Sequence, residues 1–245
     1  MKYLGEDLDI HAGGIDNAFP HHTNEIAQTE SFVGHKWCNY WFHVMHLNDE
    51  SGKMSKSKGD FLTVSLLEKK GYDPMAYRMF CLQSHYRKNL VFSWENLDNA
   101  VIAYNKLIAK IATMKADGEV DAEAFAKLKE RFVGALNGDL NTSLAITAVY
   151  DVLKAKTNDA TKLAALADFD KVLSLNLISA AENLRKKEAE EAAASADPEI
   201  DALVAARTQA KKEKNFAEAD RIRDELKARG IEIIDTPQGA KWRKV

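Results

Sequence analysis

Residues 8–16, Leu-Asp-Ile-His-Ala-Gly-Gly-Ile-Asp, decide the fold class of the first part of the chain. Leu8 and Ile10 alternate with polar neighbours, which predicts a short strand that ends at Gly13-Gly14. A glycine pair after a strand lets the backbone approach a ligand closely in an α/β site. The stretch therefore predicts a partial α/β sheet close to residue 1.

A helix is expected to follow this strand. Pro20 suits the first turn of a helix that runs through about Ser31. His21 and Glu25 are four residues apart on it, so they share a face. An imidazole and a carboxylate at this spacing can supply half of a tetrahedral zinc site. A surface ion pair is the simpler interpretation of these two residues taken alone.

Residues 52–59, Gly-Lys-Met-Ser-Lys-Ser-Lys-Gly, place lysines and serines between two glycines. The lysines offer point charges for phosphate, the serines offer hydroxyl donors, and the glycines let the backbone hinge. A solvated surface loop is the plain alternative. A mobile cationic loop suits a reaction in which negative charge builds on a leaving polyphosphate. The stretch resembles the KMSKS motif of class I aminoacyl-tRNA synthetases.

Two further segments make this resemblance specific. HAGGID at residues 11–16 and FPHHTNEIAQ at residues 19–28 resemble the HGGGxD…FPHHENEIAQ pattern of cysteinyl-tRNA synthetases. Ala12 and Thr23 are mild departures from that pattern. The resemblance implies a Rossmann-type catalytic domain with ATP as a substrate. It implies that His11, Gly13 and Asp16 contribute to the ATP site.

The resemblance also assigns roles within the cationic loop. Lys53 and Lys56 match the two lysines of KMSKS and are the implied catalytic and ATP-binding residues, with Lys56 the first choice for contacting the phosphates. Loss of one such donor typically costs about a hundredfold or more in rate. Lys58 and Asp60 differ from the residues usual in the family. The negative charge of Asp60 is expected to weaken ATP contact without disabling the loop.

One zinc ion is the cofactor that the resemblance implies. His21 and Glu25 match two of its ligands, while the family's two cysteine ligands precede the region matched by residue 1. Cys38 and Cys81 do not match them, and we expect both in the core. Zinc with an open position binds thiolate and favours sulfur over a neutral hydroxyl, whereas packing discriminates near-isosteres by only about a hundredfold. We therefore expect the metal to select cysteine over serine rather than to hydrolyse a substrate.

Residues 61–92 are expected to connect the catalytic part to the helices that begin at Ser93. Thr63 or Ser65 can cap a helix, and Ser65 forms a capping-box pattern with the glutamate three residues later. Residues 84–89, Ser-His-Tyr-Arg-Lys-Asn, are polar, aromatic and basic in one run. That composition suits contact with an RNA backbone, with His85 and Arg87 as candidates, and suits an ordinary connection equally well. The run resembles the family's SxHYRxxLxFS segment, which is implied to touch the inner side of the tRNA.

Residues 93–190 have the pattern of successive amphipathic helices. Apolar residues recur at three-to-four spacing in four stripes, beginning near Leu97, Phe125, Leu144 and Thr161. These stripes are core faces, which predicts an antiparallel helical bundle with short loops. The bundle resembles the anticodon-binding bundle of this synthetase subgroup. Residues 186–196 are expected to be a solvated helix end or a linker.

Residues 197–245 are expected to form a small C-terminal domain of two helices and a hairpin. Residues 201–245 hold eleven Lys/Arg against eight Asp/Glu, in a chain whose net charge is -3. Trp242 and Arg243 place an aromatic ring among cations, which suits base stacking and phosphate contact, although a plain charged face is a fair competitor. The ending resembles the C-terminus of bacterial cysteinyl-tRNA synthetases, which is implied to read the anticodon.

Composition limits the class of protein. A hydrophobic content of 46% and a charged content of 29% are ordinary for a soluble protein, and no apolar run is long enough to span a membrane. Two cysteines fit a reducing compartment, and residues 1–15 show no export signal. We expect a cytoplasmic monomer with a mainly α fold: a partial α/β (Rossmann-type) catalytic remnant, then a helical anticodon-binding bundle, then a small α+β C-terminal domain.

The resemblance covers only about the C-terminal half of the family's usual length. The HIGH motif and the first half of the nucleotide-binding fold have no counterpart in residues 1–245. The expected division is residues 1–60 for the catalytic part with the zinc half-site and KMSKS loop, 61–92 for the connecting region, 93–190 for the bundle and 197–245 for the C-terminal domain. We expect residues 1–60 to be the least stable region, because their sheet lacks partners.

Three functions fit these expectations. The first is cysteine–tRNA ligase, which activates L-cysteine with ATP and transfers it to tRNA(Cys); the 245-residue chain is expected to be inactive alone. The second is a non-catalytic tRNA-binding module, or the C-terminal half of a split synthetase whose partner is a separate N-terminal half. The third is a ligase that joins cysteine to a small amine, against which the anticodon-like ending argues.

Overall fold

The computed structural model describes residues 2–49, 52–53, 63–194, 197–213, 215–236 and 239–244. Within these residues the chain is mostly helical with a few short strands, and none of the helices has the length and apolarity of a membrane span. The chain divides into two compact units, residues 1–181 and residues 182–245.

The first unit begins with a strand–helix–strand arrangement. Strand β1 (Leu8–Gly14) leads through a 3-10 turn (Ile15–Asn17) and a π-helical turn (Ala18–His22) into helix α1 (Thr23–Val33), and strand β2 (Cys38–Val44) comes next. The two strands pair in parallel, from Leu8 opposite Cys38 to Gly14 opposite Val44. The predicted strand and glycine stop are confirmed, and the helix begins three residues later than Pro20.

This two-stranded sheet is thinly covered. Ile10 is 61% exposed and Tyr40 is 71% exposed, and Phe32 on α1 is 77% exposed. Cys38 is buried as predicted, whereas Cys81, in a later helix, is only partly buried. The few apolar contacts of this sheet give it less hydrophobic stabilisation than a packed core would.

A second sheet contains β3 (Leu47–Asp49), β4 (Gly52–Lys53) and β5 (Leu90–Phe92), with β3 antiparallel to β4 and parallel to β5. Helices α2 (Val64–Lys69) and α3 (Pro74–Leu82) lie between β4 and β5 in sequence. Thr63 caps α2 by accepting the amide hydrogen of Leu66. The capping box expected at Ser65 is therefore wrong, because Ser65 lies inside the helix.

The remaining helices of the first unit are α4 (Trp94–Ala112), α5 (Ala122–Asn137), α6 (Thr142–Lys154), α7 (Asp159–Leu173) and the start of α8 (Leu177–Ala194). Their apolar stripes are buried as the spacing predicts: Leu97, Leu107 and Ile111 of α4 are at most 1% exposed. The Phe132 and Phe169 rings stack with centroids 4.1 Å apart. The fourth stripe was expected to run to about Leu177, but α7 stops at Leu173. Residues 186–194 form the end of α8, which is the helix-end alternative predicted for residues 186–196.

The second unit contains the rest of α8, helices α9 (Pro198–Lys212) and α10 (Phe216–Ala228), and the antiparallel hairpin of β6 (Ile231–Thr236) and β7 (Gly239–Lys244). Asp197 and Asn215 cap the two helices through their side chains. A small core of Ile200, Val204, Ile222, Leu226 and Ile231 joins the helices to the hairpin. The two helices and the hairpin were all predicted from the sequence.

Candidate metal and tRNA-contacting sites

The end of β1 is shaped by the imidazole of His22. A Cβ atom on Gly13 would lie 2.8 Å from Cε1 of His22 and 2.8 Å from Nδ2 of Asn17, closer than side chains normally approach. Glycine is needed here because the ring packs directly against the strand backbone. The close approach predicted for a ligand is thus made by a side chain of the protein.

Three donor atoms converge beside this strand end. His11, on β1, places Nε2 2.7 Å from Oε2 of Glu25, on α1. His11, His22 and Glu25 each offer one ligand atom, and these atoms lie within 4.8 Å of one another. His11 and Glu25 are part-buried and His22 is 3% exposed. Two imidazole nitrogens and one carboxylate oxygen are a donor set that zinc accepts.

His22 is held from several sides. Its Nδ1 lies 2.8 Å from Nε2 of His43 on β2, and its ring contacts those of His11 and Trp41 at 4.6 and 5.0 Å. Burial, followed by the nearby imidazoles of His11 and His43, lowers the pKa of His22 below its usual value. The neutral imidazole, which is the form that binds metals, is therefore favoured.

The metal ligands predicted from the sequence, His21 and Glu25, lie at the same site, but only Glu25 belongs to the compact donor group. Nε2 of His21 is 3.5 Å from Oε1 of Glu25, so these two side chains do share a face. His21 is well exposed, however, and the tighter donor group uses His11 and His22 with the same glutamate. Glu25 is common to both arrangements.

The predicted ATP residues are only partly assembled by the described structure. Oδ1 of Asp16 lies 3.5 Å from Nε2 of His46, which comes shortly after β2. His11 and Gly13 both lie beside the imidazole of His22. Lys53 is on β4, while Lys56, Lys58 and Asp60 lie outside the described residues.

The predicted RNA-contacting run meets the turn between α5 and α6. Tyr86 donates its hydroxyl hydrogen to Oδ1 of Asp139 at 2.5 Å, and Nε of Arg87 lies 2.7 Å from Oδ2. Nε2 of His85 is 3.9 Å from the same carboxylate. The hydrogen bond from Tyr86, together with the charge of Arg87, lowers the pKa of Asp139, so the carboxylate is ionised near neutral pH.

In the second unit Trp242, the residue predicted to stack on a base, takes part in the packing of the unit itself. Trp242 packs against the small core, and its Nε1 donates to Oδ1 of Asp201 at 2.7 Å. Arg243 lies opposite Glu232 in the register of the hairpin. Phe216, the first residue of α10, is 63% exposed and lies close in sequence to Lys211 and Lys212. Its ring is a more accessible surface for a base than the indole of Trp242.

Sequence reasoning did not identify His22, Asp139 or Phe216 as functional candidates. The His21-His22 pair was visible, but only the pairing of β1 with β2 shows that His22 turns toward His11 and His43. Asp139 is far from the 84–89 run in sequence, so no local pattern joins them. The aromatic at a helix start beside two lysines was the available clue for Phe216.

Two known families match parts of this chain. Residues 1–102 match the family described as tRNA synthetases class I (C) catalytic domain, and residues 193–243 match the cysteinyl-tRNA ligase anticodon binding domain. These matches place the chain among the class I aminoacyl-tRNA synthetases.

Curated relatives narrow the class. The cysteine–tRNA ligase of Brevibacillus brevis is 39% identical over 100% of this chain and 54% of its own length. That of Symbiobacterium thermophilum is 42% identical over 99% of this chain and 54% of its own length. The chain belongs to the cysteinyl-tRNA synthetase family, which is a family of ligases, and it spans about half the length of these relatives. A LeuRS–tRNA–LeuAMS complex from Agrobacterium radiobacter K84 has 18% identity and a TM-score of 0.49 over 72% of this chain and 27% of its own, a likeness too low to carry an argument.

Proposed function

We propose that this chain supplies the metal-binding and tRNA-contacting half of a cysteine–tRNA ligase. In the overall reaction the carboxylate of L-cysteine attacks the α-phosphate of ATP to form cysteinyl-adenylate and pyrophosphate, and cysteine then passes to the 3′ end of tRNA(Cys) with release of AMP. The observation that carries the proposal is the convergence of His11, His22 and Glu25 donor atoms within 4.8 Å, inside the region that matches the class I catalytic domain.

The donor set fits one zinc ion. Glu25 would be a ligand in either arrangement, with His21 as the resemblance implies or with His11 and His22 as the geometry favours. The ion, when bound, would supply a Lewis-acidic position that prefers the thiolate of cysteine to the hydroxyl of serine. The residues of this chain would orient and hold that position: His43 fixes the ring of His22 through its Nδ1 contact, which leaves Nε2 for a ligand.

Nucleotide binding is assigned to the segment that begins at β4. Lys53 and Lys56 are proposed to contact the ATP phosphates and to offset the charge that develops on pyrophosphate as it leaves. His11, Gly13 and Asp16 are proposed to border the same pocket. The expected division into residues 1–60, 61–92, 93–190 and 197–245 remains the proposed domain layout.

Two surfaces are proposed for tRNA. One is the 84–89 run, in which Arg87 is 66% exposed at its side chain. The other lies on the second unit, where Phe216 is proposed to stack on a base in place of Trp242, and Lys211, Lys212 and Arg243 are proposed to contact phosphates. The match of residues 193–243 to an anticodon binding domain supports this second surface and disfavours a small amine as the acceptor.

A non-catalytic or split arrangement is the second candidate. It is favoured by the match of residues 193–243 to an anticodon binding domain, which would let the chain bind tRNA without catalysing a reaction. In that case a separate polypeptide would provide the remaining zinc ligands and the HIGH motif. Cytoplasmic location and a monomeric state are proposed for either candidate.

The zinc site is tested with the 245-residue chain and a chromophoric chelator as competitor. Glu25→Gln keeps the size of the side chain and removes its charge, and we expect zinc affinity to fall about 10- to 100-fold. Glu95→Gln, which changes an exposed glutamate on α4, is the matched control and should bind zinc as the wild type does. Equal zinc affinity in the wild type and Glu25→Gln would contradict the assignment.

Catalysis is tested separately by ATP–pyrophosphate exchange with cysteine. We expect no exchange from the 245-residue chain alone, and salt-dependent binding of a tRNA(Cys) transcript. Exchange without any added polypeptide would show that the chain is a sufficient catalyst. Absence of tRNA binding at low salt would remove the tRNA part of the proposal.

A further inference from the structure

Asp139 lies at a junction that neither family match covers. The matched regions are residues 1–102 and 193–243, and Asp139 comes just after α5 in the span between them. It has a φ of 63° and is followed by Leu140 with a φ of 51°, so two non-glycine residues in succession adopt the left-handed region. Aspartate and asparagine tolerate this conformation better than most residues do.

The carboxylate of Asp139 joins this turn to Tyr86 and Arg87. Besides the Tyr86 hydroxyl bond and the 2.7 Å Arg87 contact, Nη2 of Arg87 lies 3.3 Å from Oδ1. Nε of Arg87 also lies 2.9 Å from the Tyr86 hydroxyl oxygen. One edge of the planar guanidinium is thereby fixed at two points, which restricts its rotation.

The same tyrosine is fixed to the catalytic part of the chain. The Tyr86 ring stacks on Phe42 of β2 with centroids 4.3 Å apart, and its carbonyl accepts the amide hydrogen of Met45 at 2.9 Å. Thr142, at the start of α6, donates its hydroxyl hydrogen to the carbonyl of Ser84. The run at residues 84–89 is thus bonded to the sheet on one side and to the bundle on the other.

We propose that Asp139 is a positioning residue for nucleic-acid binding: it orients Arg87 so that the outer edge of the guanidinium faces a phosphate of tRNA. The inference rests on the proposed function, because it deepens the tRNA contact assigned to Arg87. A guanidinium has five N–H donors, so engagement of one edge by a carboxylate leaves donors for a second anion. The Arg87 side chain is 66% exposed, which gives a phosphate access to it.

A competing role for Asp139 predicts that its removal changes the affinity for phosphate in the opposite direction. If Asp139 only neutralised Arg87, its removal would release a cation and strengthen phosphate binding. If it positions Arg87, its removal lets the guanidinium rotate and weakens binding. Asp139→Asn distinguishes the two roles, since asparagine has a similar shape, accepts the left-handed backbone and lacks the charge.

The test measures binding of a tRNA(Cys) transcript to the full 245-residue chain over a range of salt concentrations. We expect Asp139→Asn and Arg87→Gln each to weaken binding about five- to tenfold and to lower the salt slope by about one. The double variant should bind no more weakly than either single variant, because both lose the same contact. Unchanged or tighter binding by Asp139→Asn, or fully additive losses, would overturn the inference.

Asp98→Asn is the matched control. Asp98 accepts the hydroxyl hydrogen of Tyr72 at 2.8 Å in the same unit, so the control removes an equivalent tyrosine–carboxylate bond away from Arg87. It should leave both the affinity and the salt slope unchanged. A loss equal to that of Asp139→Asn would show that breaking a tyrosine–carboxylate hydrogen bond elsewhere in this unit weakens binding just as much, and would contradict positioning.

Solvent exchange of the Arg87 Nε–H can be measured without RNA, so it tests the positioning role of Asp139 separately from the proposed tRNA binding. The NMR signal of the Arg87 Nε–H should exchange slowly with solvent in the wild type and rapidly in Asp139→Asn. Equal exchange in both proteins would refute the positioning role whatever the RNA shows. A wild-type chain that binds no tRNA would instead contradict the proposed function and phosphate as the ligand of Arg87.

Discussion

Replacement of Gly13 by alanine is the most direct test of the candidate metal site. The new Cβ would meet Cε1 of His22 and Nδ2 of Asn17, both at 2.8 Å. Ordinary contacts begin near 3.4 Å, so two overlaps of about 0.6 Å must be relieved. His22 cannot rotate freely away, because it is buried and held by His43 and the ring of Trp41.

Overpacking of this kind typically costs about 1–3 kcal/mol. Moving His22 also separates one donor atom from those of His11 and Glu25, so we expect zinc affinity to fall by about tenfold or more. Urea unfolding and chelator competition measure the two effects on the same protein. The backbone φ of Gly13 is not positive, so the expected effect is steric rather than conformational.

Gly134→Ala provides the control. A Cβ at Gly134, inside α5, meets nothing within 4 Å, and alanine is a better helix former than glycine. We expect this variant to be more stable by about 0.5–1 kcal/mol, with zinc affinity unchanged. If Gly13→Ala were as stable as the wild type and bound zinc equally well, the close packing of His22 against β1 would not describe the protein in solution.

Three further predictions concern the stability of the first unit. Phe169→Ala should lower the free energy of unfolding in urea by about 3–5 kcal/mol, because the ring is fully buried against Phe132. Val172→Ala, at a position 54% exposed on the same helix, should change it by at most about 0.5 kcal/mol. Similar losses for both variants would contradict the packing of Phe169. Hydrogen bonds from Lys129 and Lys171 lower the pKa of Asp168 below its ordinary value of 3.8, so the ionised carboxylate stabilises the fold above that pH and this stabilisation disappears as the pH falls through the folded-state pKa. The difference in unfolding free energy between the wild type and Asp168→Asn should therefore narrow below about pH 4. A difference that widens there would show that the pKa of Asp168 is not lowered. Amide hydrogen exchange should be faster in β1 and β2 than in α4 and α7, since the sheet leaves Ile10 and Tyr40 exposed, and equal protection would show that the sheet is not the weaker region.

The helical part of the fold could be predicted because its rules are local. Caps such as Ser93, Asp197 and Asn215 accept amide hydrogens two or three residues ahead, and buried stripes follow the helical period. The wrong prediction of a capping box at Ser65 also follows from relying on a local rule. Thr63 and Ser65 both satisfy the composition rule, and only the extended backbone at Thr63 selects it as the cap.

The candidate sites could be predicted only where their members share one element. His21 and Glu25 are neighbours on a helical face, so their spacing was informative. The approach of His11 to Glu25 and of His22 to His43 depends on which strands pair and on the turn that precedes α1. The contact of Asp139 with Arg87 spans 52 residues, and bundle packing rather than any local motif creates it.

The hydrogen bond from Trp242 to Asp201 gives the second unit a built-in optical reporter. The chain has four tryptophans, and the other three, at positions 37, 41 and 94, lie in residues 1–181. An indole that donates to a carboxylate while its ring packs on a small apolar core changes its emission when either contact breaks. With phenylalanine at the other three positions, fluorescence would follow the melting of the C-terminal helices and hairpin separately from the rest of the chain.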